Sequence, residues 1–555
     1  MILKRLTAFL LCVILLCSLS ASAFAVEFPD VSPEHWAYRD IQTASDLGLI
    51  RGLDDGTFRP EERLDRAGFV TILQRMFGWE SVVPAAPSFA DVSPDDWYYT
   101  AAETALAHGV AEPGDLFQPL AYITREDMAV MLIRALGYET LANDIAPTAA
   151  SFPDVTDHAG HIALAAAFGL TTGVEVDVQL LFQPEAFATR GQAAAMLTRV
   201  YQRMNSRVDF LTGFYAFSSY DQIGLTADMD TVCLGWSRLE WSDAGPVLNS
   251  SRTNGNDWVK PADASTATDY FRGNGTPYSL NVYADTTQNV TLADGSATSV
   301  LEQVLPDPTA RSQAVSAIAA ESAGYAGIVI DFEGLRTELL KADFVAFLTE
   351  LRAALPADKS LYVCVPPDDW YKGYDYRAIG AVCDKVILMA HDYQWTSVPE
   401  SYVGTGNTDT PVTPIRYIYT ALRAITDPET GVADKSKIAL AISIAAVAVE
   451  VDENGVLVGD TLYTPGPSSV IQWLRDPDTE RGWSEDYRNP YLYCTTEDGR
   501  RLRVWYEDAR SAMEKVQLAQ LFGVTGVSLW RIGNIPNYAD EGLDYDVWGA
   551  LQTRR

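Results

Sequence analysis

The sequence predicts an α/β protein: a (β/α)8 TIM barrel with a small α+β insertion between strands 7 and 8, preceded by a mainly α-helical triple-repeat domain. After residue 210, eight apolar strand-like runs alternate with longer helical stretches, which is the pattern of βα units. Short alternating runs with turn signals lie between the seventh and eighth of these. The first third of the chain repeats one pattern three times, at a spacing of about sixty residues.

Composition and the N-terminal segment narrow the possibilities. A chain of 555 residues is too long for one ordinary core, and a net charge of −33 argues against nucleic acid as a partner. Lys4 and Arg5 precede an apolar run, and Ala23 and Ala25 match a cleavage site, so residues 1–25 are predicted to be a secretory signal peptide. No later run is long and apolar enough to predict a membrane span.

The repeated units share three motifs in the same order. Each opens with Phe-x-Asp-Val, continues through an amphipathic helix to a Phe-x-Pro turn, and closes with a second helix. Good N-cap residues begin these closing helices, so an arginine occupies the first helical position of each. The three arginines are Arg66, Arg125 and Arg190.

These motifs resemble three S-layer homology modules, predicted at residues 26–84, 85–146 and 147–205. The resemblance implies a helical pseudo-trimer whose grooves bind a secondary cell-wall polymer. A planar guanidinium at a helix start suits a carboxylate or phosphate ligand, although the arginines could instead serve only in salt bridges. The candidate polymer-binding residues are Arg125, ranked first, then Arg66 and Arg190, together with Trp36 and Trp97.

The barrel is predicted at residues 207–555, with the insertion at about 446–505. Its strands are expected at residues 211–217, 231–236, 279–284, 327–332, 361–366, 386–390, 438–444 and 525–530.

Acidic residues end the fourth strand, where α/β barrels keep their chemistry. Asp331 and Glu333 are two residues apart, so both point to the same side of an extended chain. His391 is the only histidine after residue 161, which argues against a multi-histidine zinc site. With no phosphate-binding glycine loop in a strand-turn-helix context either, we expect no metal and no cofactor.

Other barrel strands end in residues suited to binding sugar. The sixth is followed by Met389, His391 and Asp392, the eighth ends in Trp530, and the first ends in Tyr215. Carboxylates, one histidine and aromatic rings on one face are typical of a carbohydrate site.

Several of these motifs resemble family 18 glycoside hydrolases. Residues 326–333 correspond to that family's Asp-Gly-x-Asp-x-Asp-x-Glu signature, with Ala326 and Val329 replacing its first two aspartates. Residues 389–392 correspond to its Met-x-Tyr-Asp motif, with His391 in the place of the tyrosine. Residues 504–511 are similar to the branch that contains spore cortex-lytic N-acetylglucosaminidases.

The resemblance implies a role for each candidate residue. Glu333 would be the general acid, while Asp331 and Asp392 would hold the substrate's 2-acetamido group, whose carbonyl is the nucleophile in a retaining reaction. Without an acidic partner at Val329, Asp331 is expected to be more firmly ionised. Substrate binding would fall to His391, Trp530, Tyr215 and Met389.

The sequence therefore predicts a secreted glycosidase held on the cell wall. Its expected partners are a secondary cell-wall polymer and an N-acetylglucosamine-containing polysaccharide, with β-1,4 linkages in peptidoglycan as the favoured target. Two alternatives remain open: a chitinase-type enzyme acting on chitin oligosaccharides, and a surface lectin that binds glycans without cutting them.

Overall fold

The computed structural model describes residues 27–148, 152–216, 219–291, 295–367, 370–540 and 542–555. The predicted signal peptide lies outside these residues. The chain divides into two compact units, with the boundary between residues 202 and 203. In the part that the structure describes, no helix is long and apolar enough to cross a membrane.

The first unit is mainly α-helical, as predicted. The sheet found in the described part of this unit is a two-stranded antiparallel hairpin of β1 (Val174–Val176) and β2 (Gln179–Leu181). The helices are α1 Tyr38–Asp46, α2 Arg66–Phe77, α3 Tyr99–Ala107, α4 Arg125–Ala135, α5 Glu139–Ile145, α6 Ala159–Ala167 and α7 Arg190–Met204.

Each repeat builds its Phe-x-Pro turn in the same way. The opening aspartate accepts hydrogen bonds from two backbone N–H groups of the turn, as Asp30 does from Phe58 at 2.8 Å and Arg59 at 2.6 Å. Asp91 and Asp154 repeat this arrangement 26 to 29 residues before their own turns. The recurring Phe-x-Asp motif is therefore a side-chain clamp on the turn.

The three repeats join around a pseudo-threefold axis. The N–H of Leu64 donates to the carbonyl of Ala188 at 3.0 Å, that of Ala188 to Ile123 at 2.9 Å, and that of Ile123 to Leu64 at 3.0 Å. This closed cycle places the starts of α2, α4 and α7 beside one another.

The second unit contains a closed barrel of eight parallel strands, which confirms the predicted fold. Closure follows because the first strand pairs with both the second and the last. The strands are β3 Phe210–Tyr215, β4 Thr231–Ser242, β6 Tyr278–Asp285, β9 Gly327–Glu333, β10 Ser360–Val365, β11 Lys385–Met389, β12 Ile438–Ser443 and β18 Gly526–Ile532.

Helices and two short pairings complete the barrel. β4 continues into an antiparallel pairing with β5 (Gly245–Asn249), and β7 (Asn289–Thr291) pairs with β8 (Ala297–Ser299). The helices outside the insertion are α8 Ala264–Asn274, α9 Val300–Val304, α10 Pro308–Glu321, α11 Lys341–Ala354, α12 Tyr376–Val382, α13 Ile415–Ile425, α15 Ala509–Leu521 and α16 Val547–Gln552.

The insertion between β12 and β18 is a five-stranded antiparallel sheet with helix α14 (Pro467–Arg475). Val470, Ile471 and Leu474 of the helix pack on buried sheet residues such as Leu492. The strands are β13 Val447–Val451, β14 Leu457–Tyr463, β15 Glu480–Ser484, β16 Asn489–Thr495 and β17 Arg501–Trp505.

A buried ion pair ties the insertion to the barrel helix α15. Lys515 Nζ donates to Glu507 Oε2 at 2.6 Å, and both side chains are fully buried. Asn489 Nδ2, at the start of β16, donates to the other Glu507 oxygen at 2.6 Å. Each charge is thus hydrogen-bonded, which a buried ion pair requires.

The barrel interior is filled by alternate residues of each strand. On β9 the inward residue of the core is Val329, so Asp331 and Glu333 continue the same inward row toward the carboxyl end. The inward core residues are Phe210, Phe214, Cys233, Val329, Tyr362, Cys364, Ile387, Ala439 and Ala441.

Candidate active site

Two carboxylates of β9 face residues of the neighbouring strand β6. In the parallel register, Tyr283 lies beside Asp331 and Asp285 lies beside Glu333. Four polar side chains of β6 and β9 therefore meet at the carboxyl end of the barrel, and the sequence analysis named only the two on β9.

Asp331 is almost completely buried, with 2% exposure. Its Oδ2 accepts a hydrogen bond from Asn281 Nδ2 at 3.3 Å, and its Oδ1 has no hydrogen-bond partner among the described residues. Burial raises the pKa of Asp331 to about 6, while Asn281, Cys364 and His391 act in the opposite direction. Burial therefore opposes the firmer ionisation of Asp331 that was expected from the absence of an acidic partner at Val329.

Glu333 is held in its protonated form. Burial and the charges of Asp331, Asp285 and Asp392, in that order, raise the pKa of Glu333 to about 8. At neutral pH the carboxyl group therefore carries a proton that it can donate, as a general acid must.

Asp285 is a site residue that the sequence reasoning missed. It accepts hydrogen bonds from Tyr283 Oη at 2.6 Å, from Thr287 N at 2.6 Å and from Gln288 N at 2.9 Å. Although burial acts in the opposite direction, these bonds keep the pKa of Asp285 below its ordinary value. Asp285 is therefore a fixed negative charge beside Glu333, and the alternation of Asn281, Tyr283 and Asp285 was the sequence signal for it.

His391 and Asp392 follow β11 and hold each other. His391 Nδ1 lies 2.9 Å from Asp392 Oδ2, and Asp392 adopts a φ of 62°. Burial opposes the effect of His391, which nevertheless keeps the pKa of Asp392 below its ordinary value. The Asp392 side chain is 51% exposed and so remains accessible to a ligand.

Trp530 forms an aromatic floor together with neighbouring rings. Its ring is nearly parallel to that of His391 (11°, with centroids 6.3 Å apart) and meets Phe214 at 5.3 Å. Trp258 lies 6.4 Å away and stacks on Tyr283 at 4.4 Å. Such apolar faces suit the C–H face of a sugar ring.

A cavity of about 160 Å³ connects several of the predicted residues. The predicted residues that line it are Glu333, Met389, His391 and Asp392. The remaining lining residues are Gly334, Pro366, Pro367, Trp370 and Tyr371. No group of three metal-ligating side chains occurs in the described residues.

The structure does not bring Tyr215 to this site. Tyr215 is 3% exposed and packs outward against Trp236 and Phe271, with ring centroids 6.3 and 5.6 Å away. Its neighbour Phe214 is the inward residue and contacts Trp530. The prediction for strand one was therefore wrong by one residue, which is enough to move a side chain to the other face of a strand.

In the repeat domain, two of the three candidate arginines hold backbone carbonyls. Arg125 is 9% exposed, and its Nε donates to the Phe182 carbonyl at 2.8 Å and its Nη2 to that of Thr172 at 3.2 Å. Arg190 makes the matching bond to the Phe58 carbonyl at 2.8 Å. Both guanidinium groups thus pack on the Phe-x-Pro turn of another repeat.

Arg66 departs from this pattern. Its closest charged contact is Asp127 at 3.6 Å, and its buried Nε has no hydrogen-bond partner among the described residues. It lines a cavity of about 630 Å³ with Arg134, His158 and five acidic residues, which are Glu112, Glu126, Asp127, Asp157 and Glu185. Arg66 therefore replaces Arg125 as the first candidate for binding an anion.

The two candidate tryptophans of the repeats are surface residues. Trp36 is 59% exposed and Trp97 is 65% exposed, and neither lines the cavity at Arg66. The structure leaves both rings open to a ligand without bringing them to that arginine.

Comparisons with known proteins agree with both predicted resemblances. The model for Glycosyl hydrolases family 18 matches residues 287–534, which include the ends of β9, β11 and β18. The model for the S-layer homology domain matches residues 27–69, 88–129 and 151–194. The recognition of both families is thereby confirmed.

Individual relatives match one unit or the other. The putative sporulation-specific glycosylase YdhD of Bacillus subtilis is 27% identical over 264 residues, which cover 43% of this chain and 54% of YdhD. S-layer protein EA1 of Bacillus anthracis is 30% identical over 200 residues, covering 34% of this chain and 22% of EA1. The spore cortex-lytic enzyme SleL of Bacillus cereus aligns with a TM-score of 0.48 and 16% identity over 70% of this chain and 81% of SleL. The chain spans about half the length of YdhD and less of EA1.

Proposed function

Since the chain carries a family 18 glycosyl hydrolase domain behind three S-layer homology repeats, we propose that it is a cell-wall-anchored glycosidase that cleaves β-1,4 linkages at N-acetylglucosamine in peptidoglycan. The observation that carries this proposal is the position of Glu333 at the carboxyl end of the barrel, where burial and the charges of Asp331, Asp285 and Asp392 raise its pKa to about 8. A group in that state can protonate a glycosidic oxygen at neutral pH.

The remaining residues support a substrate-assisted reaction. Glu333 gives its proton to the leaving oxygen while the substrate's acetamido carbonyl attacks the anomeric carbon, and Glu333 then takes a proton from the incoming water. Asp331 presents Oδ1, which has no hydrogen-bond partner among the described residues, to the acetamido N–H, and its charge stabilises the positive ring that the acetamido group forms with the anomeric carbon. Anomeric configuration is retained because the anomeric carbon is attacked twice.

The aromatic floor and the His391–Asp392 pair position the sugar. Trp530 supports its apolar face, and Asp392, held by His391, is an exposed acceptor for an N–H or hydroxyl group. Met389 lines the same cavity and excludes water from the acid.

The repeat domain would place the enzyme on its substrate. Arg66 and Arg134 line a cavity large enough for a sugar unit, where a guanidinium group would meet a carboxylate or phosphate on a wall polymer beside the acidic residues of the same cavity. Binding there raises the local concentration of wall glycan at the barrel. This is why peptidoglycan is favoured over chitin.

Hydrolysis assays of the wild-type protein and Glu333→Gln test the proposal. We expect reducing ends to be released from purified sacculi by the wild type, and no release by Glu333→Gln at equal thermal stability. Release from chitin oligosaccharides alone would favour the chitinase alternative. Binding of both glycans with no release by the wild type would support the lectin alternative and contradict the proposal.

A further inference from the structure

Strand β6, the neighbour of β9, carries a buried side-chain amide to which no role has yet been given. Asn281 lies on β6, is completely buried, and stands beside Val329 in the register of β6 and β9. Its Nδ2 reaches over to Asp331 Oδ2 at 3.3 Å, although Tyr283 is the direct register partner of Asp331.

A buried amide in the middle of a barrel is costly unless it has a specific partner. Among the described residues, the side-chain amide of Asn281 has one hydrogen-bond partner, Asp331, which its Nδ2 contacts, and its Oδ1 has none. The apolar Val329 beside it offers no hydrogen bond. The amide therefore contributes little to the core, and its one contact is with a residue of the proposed mechanism.

We propose that Asn281 is the positioning residue for Asp331, holding one carboxylate oxygen so that the other faces the substrate's acetamido group. This inference rests on the proposed function and adds to it the device that orients Asp331 in this chain. An amide can donate but cannot take up a proton, so Asp331 is kept as an ionised acceptor in one orientation rather than as half of a proton-sharing pair.

The surroundings of Asp331 make the amide the main fixed donor. The titratable groups that interact with Asp331 are Cys233, Tyr283, Glu333, Cys364, Tyr374 and His391. Burial raises the pKa of both thiols, so each is neutral and only a weak donor. The hydroxyl group of Tyr283 donates its hydrogen bond to Asp285 and not to Asp331.

Asn281→Ala tests the proposal, with Ser279→Ala as the matched control. Ser279 lies on the same strand, and its buried hydroxyl also has no partner among the described residues, yet it makes no contact with Asp331. We expect Asn281→Ala to lower kcat about tenfold with KM changed far less, as loss of a hydrogen bond to a charged group predicts. Ser279→Ala should leave kcat and KM unchanged.

The pH profile separates positioning from a structural role. The acidic limb of the profile reports the protonation of Asp331, which must be ionised for activity. Loss of the Asn281 hydrogen bond favours the protonated form, so the acidic limb of Asn281→Ala should move up by about one pH unit. Asn281→Asp places a second carboxylate beside Asp331. This variant should be more active than Asn281→Ala only at pH values where the two carboxylates share one proton, and it should lose activity at the higher pH where that shared proton dissociates.

An unchanged acidic limb in Asn281→Ala would overturn the inference, as would equal losses of kcat in the alanine variant and the Ser279→Ala control. A wild-type protein that cleaves no glycan would instead contradict the proposed function. In that case the titration of Asp331, followed by carboxyl ¹³C NMR in the wild type and in Asn281→Ala, still decides the inference, with a higher midpoint expected in the variant.

Discussion

The charge of Asp285 should set the alkaline limit of activity through Glu333. Asp285→Asn keeps the shape of the side chain and can still accept the bonds from Thr287 and Gln288, but it removes a negative charge beside the acid. Glu333 must be protonated to act, and its raised pKa of about 8 is the point above which activity is lost. With one negative charge removed, the pKa of Glu333 falls and the alkaline limb moves to lower pH.

The size of this shift follows from the geometry. Side chains opposite each other on neighbouring strands are about 5 Å apart, so one charge contributes between about 0.8 kcal/mol in water and about 3 kcal/mol at an effective dielectric constant of about 20. These limits correspond to about 0.6 and about 2.2 pH units. Because Asp285 is partly exposed, we expect about one unit.

The assay is the pH dependence of kcat on a soluble N-acetylglucosamine oligosaccharide. Asp460→Asn is the matched control, because it removes the same charge from an exposed position on strand β14 of the insertion. The control should keep the wild-type alkaline limb. A pH profile resolves a shift of about 0.2 pH units. If the alkaline limb of folded Asp285→Asn lies within that distance of the wild-type limb, the electrostatic account of Glu333 is refuted.

Three further results are expected. Arg66→Gln should weaken co-sedimentation with wall sacculi about tenfold at unchanged melting temperature, whereas Arg125→Gln should lower the melting temperature because it leaves two backbone carbonyls unpaired; equal behaviour of the two variants would contradict this. Trp530→Ala should raise KM for chitin oligosaccharides about tenfold, since stacking on the sugar face is lost; an unchanged KM would remove Trp530 from the floor. Lys515→Met should lower the free energy of unfolding in urea by about 3 to 5 kcal/mol, because it leaves the buried Glu507 without its cation; a fully stable variant would show that the pair is dispensable.

The barrel was predictable because parallel strands buried on both faces leave uninterrupted apolar runs. The pairing of Asp331 and Glu333 was predictable because residues two apart on a strand point to the same side of the sheet. Tyr215 shows the limit of this reasoning, since the end of β3 does not reveal which of two adjacent residues points inward until the strand is closed into the barrel.

Asn281 and Asp285 escaped notice for a different reason. Their importance comes from the register of β6 against β9, and pairing between strands more than forty residues apart is a tertiary property. The contacts of Arg125 were not predictable for the same reason, because the carbonyls that it holds belong to another repeat. In each case the residue contacts a segment that is distant in the sequence, and a local sequence pattern cannot predict such a contact.

The most direct test of the account is ¹H NMR of the anomeric protons released in the first moments of hydrolysis of an N-acetylglucosamine oligosaccharide. Attack by the substrate's own acetamido group, with Glu333 as the single acid and base, predicts that the β-anomer appears first and mutarotates later. Initial release of the α-anomer would contradict the mechanism, and release of no sugar by the wild-type protein would contradict the assignment of an enzyme.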